Sequence, residues 1–322
     1  MPTTLPARVI HADWGIAPGK RWMARAEFDE RGLCTAHATE RVGNASTLIE
    51  RGVDGLRPGR SCLFGFDFPI GLPAFYTRAA GISSFPHFLK EIGHGRWSRF
   101  ADVAEKREEI SLERPFYPMR PGGTKQSHLL EALEATGIDQ LRRRCERRQA
   151  TRGAACPLFW TLGGQQVGKG ALSGWREVIV PALQAEKESV SIWPFGGSLD
   201  DLIAAGQVIL AETYPAEFYG HLGVSFPASR AETKSGKRVQ GDRVANAPAL
   251  LSWAESSGTE LEPGLADEIE DGFGSGADGE DRFDAVVGLF GMLNVLLGRR
   301  PSVAPDEDEV RLVEGWILGQ SW

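Results

Sequence analysis

The sequence contains 322 residues, a length that accommodates one large domain or a core domain with a sizeable insertion. Hydrophobic residues make up 42% and charged residues 25% of the chain, which excludes a mainly disordered or fibrous protein. The formal net charge of -7 argues against a protein that coats nucleic acid non-specifically, but it is compatible with a nuclease whose active site is acidic.

Cysteine spacing and hydrophobicity indicate the cellular compartment of the protein. The cysteines are far apart and form no CxxC pair, which favours reduced thiols over a zinc site or a disulfide framework. The N-terminus lacks the long apolar run of a signal peptide, and no apolar stretch is long enough to span a bilayer. We therefore expect a cytoplasmic protein without a membrane partner, whose oligomeric state the sequence leaves open. The cysteines are Cys34, Cys62, Cys145 and Cys156.

The first part of the chain has the pattern of a β-meander. Short apolar segments at residues 8–13, 22–28 and 33–42 are separated by turn residues such as Asp29 and Gly32. They predict three consecutive strands.

A helix and a buried strand are predicted next. Ser46 is placed to cap a short helix that runs to Leu56. Residues 61–67 form an apolar run typical of a buried strand. That strand must end at residues 68–73, because the two prolines there cannot continue β-pairing.

Residues 83–170 differ in character from the rest. Charged residues are dense, strand signals are absent, and Leu129, Leu130 and Leu133 recur at helical spacing within residues 124–137. We interpret the chain as a single domain over residues 1–322 that carries a mainly helical insertion at 83–170.

Strands and helices alternate again after the insertion. This order, with the meander before it, predicts an α/β fold with a mixed β-sheet. The predicted strands are 190–193 and 208–213; the predicted helices are 174–185, 199–205, 216–222, 243–256 and 283–297, with an acidic helix and loop at 261–280 and a final helix in the tail.

Carboxylates at the ends of these elements are the most informative feature. Asp13, Asp67 and Glu212 lie at the ends of three apolar strands, and Asp281 and Asp284 lie at the start of an apolar helix. The carboxyl ends of strands line the ligand crevice of open α/β sheets. Acids that converge there form the all-oxygen site that Mg²⁺ or Mn²⁺ prefers.

Each acid also has an ordinary structural explanation. Asp281 is favoured at a helix start by the helix dipole alone. Asp13 and Asp67 are placed to accept hydrogen bonds from the backbone of the turns that follow them. Glu212 is able to pair with an arginine of the insertion. The sequence therefore predicts a metal site from the set of acids rather than from any one of them.

Four segments carry these acids: Ala12-Asp13-Trp14-Gly15, Gly65-Phe66-Asp67-Phe68-Pro69-Ile70-Gly71-Leu72-Pro73, Glu212-Thr213-Tyr214-Pro215-Ala216-Glu217 and Gly279-Glu280-Asp281-Arg282-Phe283-Asp284-Ala285. In this order they resemble the motifs of the domain of unknown function 429 family, which is regarded as a family of predicted nucleases in the ribonuclease H-like superfamily. The resemblance implies a ribonuclease H-like mixed β-sheet flanked by helices, a Mg²⁺ or Mn²⁺ cofactor and a nucleic-acid partner. It also implies that Asp13, Asp67, Glu212 and Asp284 are catalytic and bind metal. Asp281 is expected as a further metal ligand, either as their neighbour or as a substitute for one of them. The insertion at 83–170 departs from shorter members.

Basic residues supply candidates for substrate binding. Arg143 and Arg147, in the most basic stretch of the chain, are candidates for binding phosphates, but a solvated helix face that pairs with the acidic half of the protein explains them slightly better. Lys169 ends a glycine-rich loop that resembles a phosphate cradle in composition but lacks Walker spacing. A second basic cluster is interpreted as a surface loop, with a substrate-facing loop as the alternative. Its members are Lys234, Lys237, Arg238 and Arg243.

Two other functions stay open at this point. Asp13-Trp14-Gly15 followed by Lys20 weakly resembles the first phosphate loop of actin-like phosphotransferases, which share the core fold. A non-enzymatic binding protein, in which the acids only hold loops in place, is the third hypothesis.

Overall fold

A computed structural model describes residues 4–117, 125–149, 153–161, 166–185, 189–226 and 236–322. Its centre is a mixed eight-stranded sheet in the order β6-β7-β5-β1-β2-β3-β8, with β4 paired to β2. The strands are β1 (Arg8–Asp13), β2 (Trp22–Phe28), β3 (Cys34–Ala36), β4 (Glu40–Arg41), β5 (Cys62–Phe66), β6 (Val190–Ile192), β7 (Val208–Glu212) and β8 (Thr259–Leu261).

The sheet confirms the predicted α/β class and most of the predicted strands. β1 pairs antiparallel with β2 and parallel with β5, and β5 pairs parallel with β7. The strand predicted at 33–42 was too long, because the chain breaks into β3 and β4. β8 was not predicted; its three residues acquire strand structure only by pairing in parallel with β3.

Helices cover both faces of this sheet. Within the described residues, no helix is both long and apolar enough to cross a membrane. The helices are α1 (Leu48–Val53), α2 (Ala74–Ala80), α3 (Phe85–Glu91), α4 (Gln126–Ala132), α5 (Val167–Gly174), α6 (Val180–Gln184), α7 (Leu199–Ala204), α8 (Pro215–Phe218), α9 (Gln240–Ser257), α10 (Pro263–Glu270) and α11 (Gly279–Leu296); a π-helical segment (Trp175–Ile179) joins α5 to α6.

Side chains alternate between the two faces along each central strand, as the two-residue period of a strand requires. Val9 and Leu63 enter the core that contains α9 and α11. Ile10 and Phe64 enter a second core on the opposite face. Because both faces are covered, β5 and β7 consist almost entirely of apolar residues, which explains why the sequence predicted them well.

The insertion at 83–170 shares the second core with the sheet. Its helices are short, and 3₁₀ turns make up much of the rest. Phe85 packs on Trp175 with ring centroids 5.2 Å apart, and Phe100 packs on Phe116 at 5.4 Å. Residues 118–124, 150–152 and 162–165 of this insertion lie outside the described residues. The part that is described therefore joins the second core through its aromatic side chains.

Helix α11 is held against β1 by the close approach of Gly288 to His11. A Cβ built on Gly288 would lie 2.1 Å from His11 Cε1. The His11 ring is fully buried, its Nδ1 lies 3.1 Å from the Ala285 carbonyl oxygen, and burial lowers its pKa to about 3. A neutral imidazole therefore fills the space that a glycine leaves in the helix.

We expect Gly288→Ala to destabilise the protein by roughly 1–3 kcal/mol or more, because the added methyl group overlaps a buried ring in a packed core. Gly241→Ala is the matched control: Gly241 lies in α9 with nothing within 4 Å of a built Cβ. Its free energy of unfolding should stay the same or rise by up to about 1 kcal/mol. Urea denaturation of both variants makes the comparison, and equal stability of the two variants would contradict the packing argument.

Candidate active site

Two of the predicted acids meet where β1 and β5 end side by side. These strands run parallel with Ala12 opposite Phe66, so the next residues, Asp13 and Asp67, leave the same edge of the sheet. The two carboxyl groups lie close enough to share a proton, and the charge of Asp67 helps to raise the pKa of Asp13. Asp67 Oδ1 also accepts a hydrogen bond of 2.7 Å from the backbone N–H of Trp14. The sequence-based expectation that these strand ends converge is met for this pair.

Helix α11 brings a third acid to the same place. Asp284, which is 4% exposed, accepts a hydrogen bond of 3.0 Å from the hydroxyl of Tyr219 at Oδ1. Its Oδ2 is paired with the ammonium group of Lys237. Asp281, one turn earlier, is half-buried, and its Oδ2 is buried without a hydrogen-bond partner. We call the group formed by Asp13, Asp67, Asp281 and Asp284 the carboxylate pocket.

Burial and mutual repulsion raise the pKa of every acid in the carboxylate pocket. Burial, followed by the charges of Asp67, Asp284 and Asp281, raises the pKa of Asp13 well above its usual range. Burial raises the pKa of Asp67 to about 6, and the charge of Asp284 contributes in the same direction. For Asp281, burial and then Glu280 raise the pKa to about 6. The pocket is therefore poised to attract protons or other cations.

The fourth predicted acid, Glu212, is engaged elsewhere. It ends β7, beside β5, but its carboxylate receives both Nη1 and Nη2 of Arg143 at 2.6 Å. Its Oε2 also accepts a hydrogen bond of 2.7 Å from the backbone N–H of Ile70. The structure thus forms the ion pair with the insertion that the sequence left open as an alternative, and it does not bring Glu212 into the carboxylate pocket.

Arg143 is the centre of a buried network rather than a surface residue. Its side chain is 0% exposed and also pairs with Glu146 at 2.8 Å. Nη1 donates a further hydrogen bond of 3.1 Å to the Glu314 carbonyl oxygen. The arginine thereby joins the insertion, strand β7 and the C-terminal segment. A substrate would not reach the guanidinium group in this arrangement, so the predicted role of Arg143 in substrate binding is not supported by its position.

The proline-rich turn after Asp67 is fixed by its neighbours. The indole N–H of Trp175 donates to the Pro69 carbonyl oxygen at 2.8 Å, and the Leu72 N–H donates to the Val313 carbonyl oxygen at 2.8 Å. Gly71 has a φ of 149°, and a built Cβ would lie 1.9 Å from the Glu314 carbonyl oxygen. This close approach of two backbones accounts for the glycine of the motif.

Two clefts open beside the carboxylate pocket. One has a volume of about 620 Å³ and extends from Asp67 past Trp14 to Glu146 and Gly170. The other has a volume of about 510 Å³ and extends from Asp67 past Tyr219 to Asp284. The two clefts share four lining residues: Asp67, Tyr214, Lys237 and Arg238. An extended ligand would therefore pass directly over the acids.

The other predicted substrate-binding residues lie near these clefts. Lys169 is in α5, and its neighbours Gln166 and Gly170 line the larger cleft. Arg147 is exposed next to Glu146, which also lines that cleft. Neither Lys169 nor Arg147 is among the described residues that line either cleft. Their roles stay predictions.

The sequence does not predict the position of two side chains of the site, Lys237 and Tyr219. Lys237 belongs to the basic cluster interpreted as a surface loop, yet its ammonium group lies on Asp284; Lys234 of that cluster is outside the described residues. Tyr219 was not singled out at all. Its position one turn after the Tyr-Pro motif was the available signal, but only the packing of α8 against α11 shows that its hydroxyl reaches Asp284.

Within the described residues, no three His, Cys, Asp or Glu side chains are arranged to hold a metal ion as they stand. The ammonium group of Lys237 is paired with one oxygen of Asp284. Comparison of the chain with family models, with curated proteins and with solved structures found no match. The site must therefore be interpreted from its own chemistry.

We expect Arg143→Met to cost about 3–5 kcal/mol of stability, because it leaves the buried carboxylates of Glu212 and Glu146 without their counter-charge. Arg144→Met is the matched control, since Arg144 pairs with Glu307 at the surface. Loss of that exposed pair should cost at most about 1 kcal/mol. Urea denaturation measures both variants; similar losses for the two would show that the buried network contributes little.

The raised pKa values predict a pH dependence of stability. Asp67 and Asp281 have pKa values of about 6 in the native state, against an ordinary value of 3.8, so the native state binds more protons between these values. Their contribution to stability is therefore least favourable above about pH 6 and improves as the pH falls towards about 4.

Asp67→Asn tests the direction of this pH dependence, because it keeps the Oδ1 acceptor for Trp14 and removes the charge. In chelator, the variant should be more stable than the wild type at about pH 7.5, and the difference should shrink at about pH 4.5. His11 acts in the opposite direction, since its lowered pKa destabilises the native state in acid, but that effect is common to both proteins. Denaturation curves that differ equally at both pH values would contradict the clustering of ionised acids.

Proposed function

We propose that the protein is a divalent-metal-dependent phosphodiesterase of the nuclease type. The observation that supports this most directly is the convergence of Asp13, Asp67 and Asp284 in one buried pocket at the carboxyl ends of parallel strands. The architecture is compatible with the ribonuclease H-like fold that the motifs imply. It has an antiparallel meander β1–β2–β3, with β5 and β7 added in parallel on the other side of β1.

The residues present fit a hard divalent cation such as Mg²⁺ or Mn²⁺. The donors are all carboxylate oxygens, and one of them, Oδ2 of Asp281, is buried without a partner. Asp13, Asp67, Asp284 and Asp281 would hold the ion. Divalent ions in such a site supply activation of a water molecule and charge stabilisation at the leaving oxygen of a phosphodiester.

The chain itself orients these ligands. The Trp14 N–H fixes Asp67, and the Tyr219 hydroxyl fixes Asp284. Trp14 is held in turn by a hydrogen bond of 2.8 Å from its indole N–H to Ser173, and the guanidinium group of Arg21 lies 4.0 Å from the centre of its ring. Such supporting contacts matter because ligand orientation strongly affects metal affinity.

Glu212 and Arg143 have a supporting role in this proposal. Their ion pair, together with the hydrogen bond from Ile70 to Glu212, fixes the turn that begins at Asp67. Lys237 and Arg238 lie where the two clefts join, which places cations beside the path of a phosphodiester backbone. The nucleic-acid substrate and the metal are thus parts of one proposal.

Cleavage assays test the proposal with labelled single-stranded DNA, duplex DNA, RNA and RNA–DNA hybrids, each in Mg²⁺ and in Mn²⁺. We expect cleavage of at least one substrate by the wild type and a loss of at least about 100-fold in Asp13→Asn and Asp284→Asn, since a ligand should matter no less than its supporting contacts. Asp278→Asn is the matched control, because Asp278 also lies at the start of α11 but pairs with Arg41 near the surface. A wild-type protein inert on all four substrates with both ions would overturn the proposal.

A further inference from the structure

Lys237 is bound to the first turns of α11 by two acids. Its Nζ is paired with Asp284 Oδ2 and lies 3.2 Å from Glu280 Oε1. The neighbouring Arg238 places its Nε 3.4 Å from the other oxygen of Glu280. Although burial alone would lower the pKa of Lys237, the charge of Asp284 raises it overall, so the ammonium form is maintained. A positive charge thus already sits against the carboxylate pocket.

The backbone of Lys237 is held by a buried arginine. Arg243 is 2% exposed and donates to three carbonyl oxygens: Lys237 at 2.6 Å, Gly272 at 2.7 Å and Gly274 at 2.7 Å. Gly279 makes room for it, because a built Cβ there would lie 2.3 Å from Arg243 Nη2. One guanidinium group therefore ties the segment that carries Lys237 to the turn that precedes α11.

We infer that Arg243 is a positioning residue for Lys237, and that the ammonium group of Lys237 is the resident counter-ion of the carboxylate pocket, which must leave Asp284 before a divalent cation binds there. The inference rests on the proposed function, since it concerns binding of the same ion. Asp284 Oδ1 already accepts a hydrogen bond from Tyr219, so Oδ2 is the oxygen left for a divalent ion. That oxygen is the one paired with the ammonium group, and it does not hold both cations in the same place.

The contrast between the two buried acid sites explains why a lysine suits this position. At Glu212 the partner is an arginine with no exposure, whose fork is fixed by several acceptors and leaves no room for exchange. At Asp284 the partner is a lysine that is 36% exposed and lies between the two clefts. A flexible stem with a point charge is able to turn from the carboxylate to a phosphate oxygen in the cleft. Of these two pairs, only Asp284 and Lys237 can separate so that a divalent ion replaces the ammonium group.

Competition between the ammonium group of Lys237 and a divalent ion determines how far the apparent affinity for that ion falls. If the ammonium group occupies its position on Asp284 in about nine molecules of ten, the apparent affinity for a divalent ion falls about tenfold. Removing the ammonium group should restore that factor.

Calorimetric titration of the full chain with Mn²⁺ alone tests the competition. We expect Lys237→Met to bind Mn²⁺ about tenfold more tightly than the wild type. Arg238→Met is the matched control: it removes a neighbouring cation that pairs with Glu280, is 75% exposed and has no pairing with Asp284 in the structure. Its affinity should change by less than about threefold, as screened surface charges have small effects.

The outcomes separate the inference from the proposed function. Equal Mn²⁺ affinity in the wild type and in Lys237→Met would overturn the counter-ion role and leave the metal site standing. Weaker binding in Lys237→Met would also overturn it, because the lysine would then assist the ion. Failure of the wild type and of both variants to bind Mn²⁺ would remove the proposed metal site and the inference with it.

Limited acetylation, followed by mass spectrometry, tests the positioning role without any metal. Lys237 should react slowly in the wild type relative to the exposed Lys90, and about tenfold faster in Arg243→Gln, where the segment is released. Arg282→Gln is the control, because Arg282 donates to the carbonyl of Phe273 in the same turn but does not contact Lys237. Unchanged protection of Lys237 in Arg243→Gln would overturn the positioning role; should that variant not fold, the Mn²⁺ titration of Lys237→Met decides the inference alone.

Discussion

The cost of removing carboxylates from water governs this structure. Four acids at the carboxyl edge of the sheet are buried or half-buried, and each buried charge needs a counter-charge, a hydrogen bond or a proton. Glu212 has an arginine, Asp284 a lysine and a tyrosine, and Asp13 and Asp67 have each other. The arrangement of the loops, of the insertion and of the C-terminal segment follows from supplying these partners.

The two buried acid sites of the protein neutralise their carboxylates to different degrees. The pair of Glu212 and Arg143 joins three parts of the chain, and its guanidinium group is fully buried, so the pair acts on the site by fixing the turn after Asp67. The carboxylate pocket is only partly compensated, and the pKa values of its acids are raised in consequence. Negative charge that is only partly neutralised lowers the stability of the fold but favours the binding of a cation. Buried groups with perturbed pKa values are also more frequent at functional sites.

Much of the fold was predictable from sequence because the central strands are apolar on both faces and end at prolines or acids. β1 and β2 were predicted with their observed bounds, and β5 and β7 to within a residue or two. The prediction was poor for short elements. β8 has three residues with no apolar pattern, and its strand structure depends on its partner β3. The tail helix is a single π-helical turn (Val310–Glu314), whose Glu314 accepts from the backbone of Ala74 and Arg144.

The sequence by itself determined that acids lie at strand ends and at the start of α11, since strand boundaries and helix periodicity are local properties. Which acids share a pocket was decided by the tertiary structure, because Asp13 and Asp284 are far apart in the chain and meet only through the packing of α11 on β1. The choice of partners was decided there too: an arginine from the insertion reaches Glu212, and a lysine held by Arg243 reaches Asp284. Charge pairing over such separations depends on three-dimensional distance, which no local pattern in the sequence records.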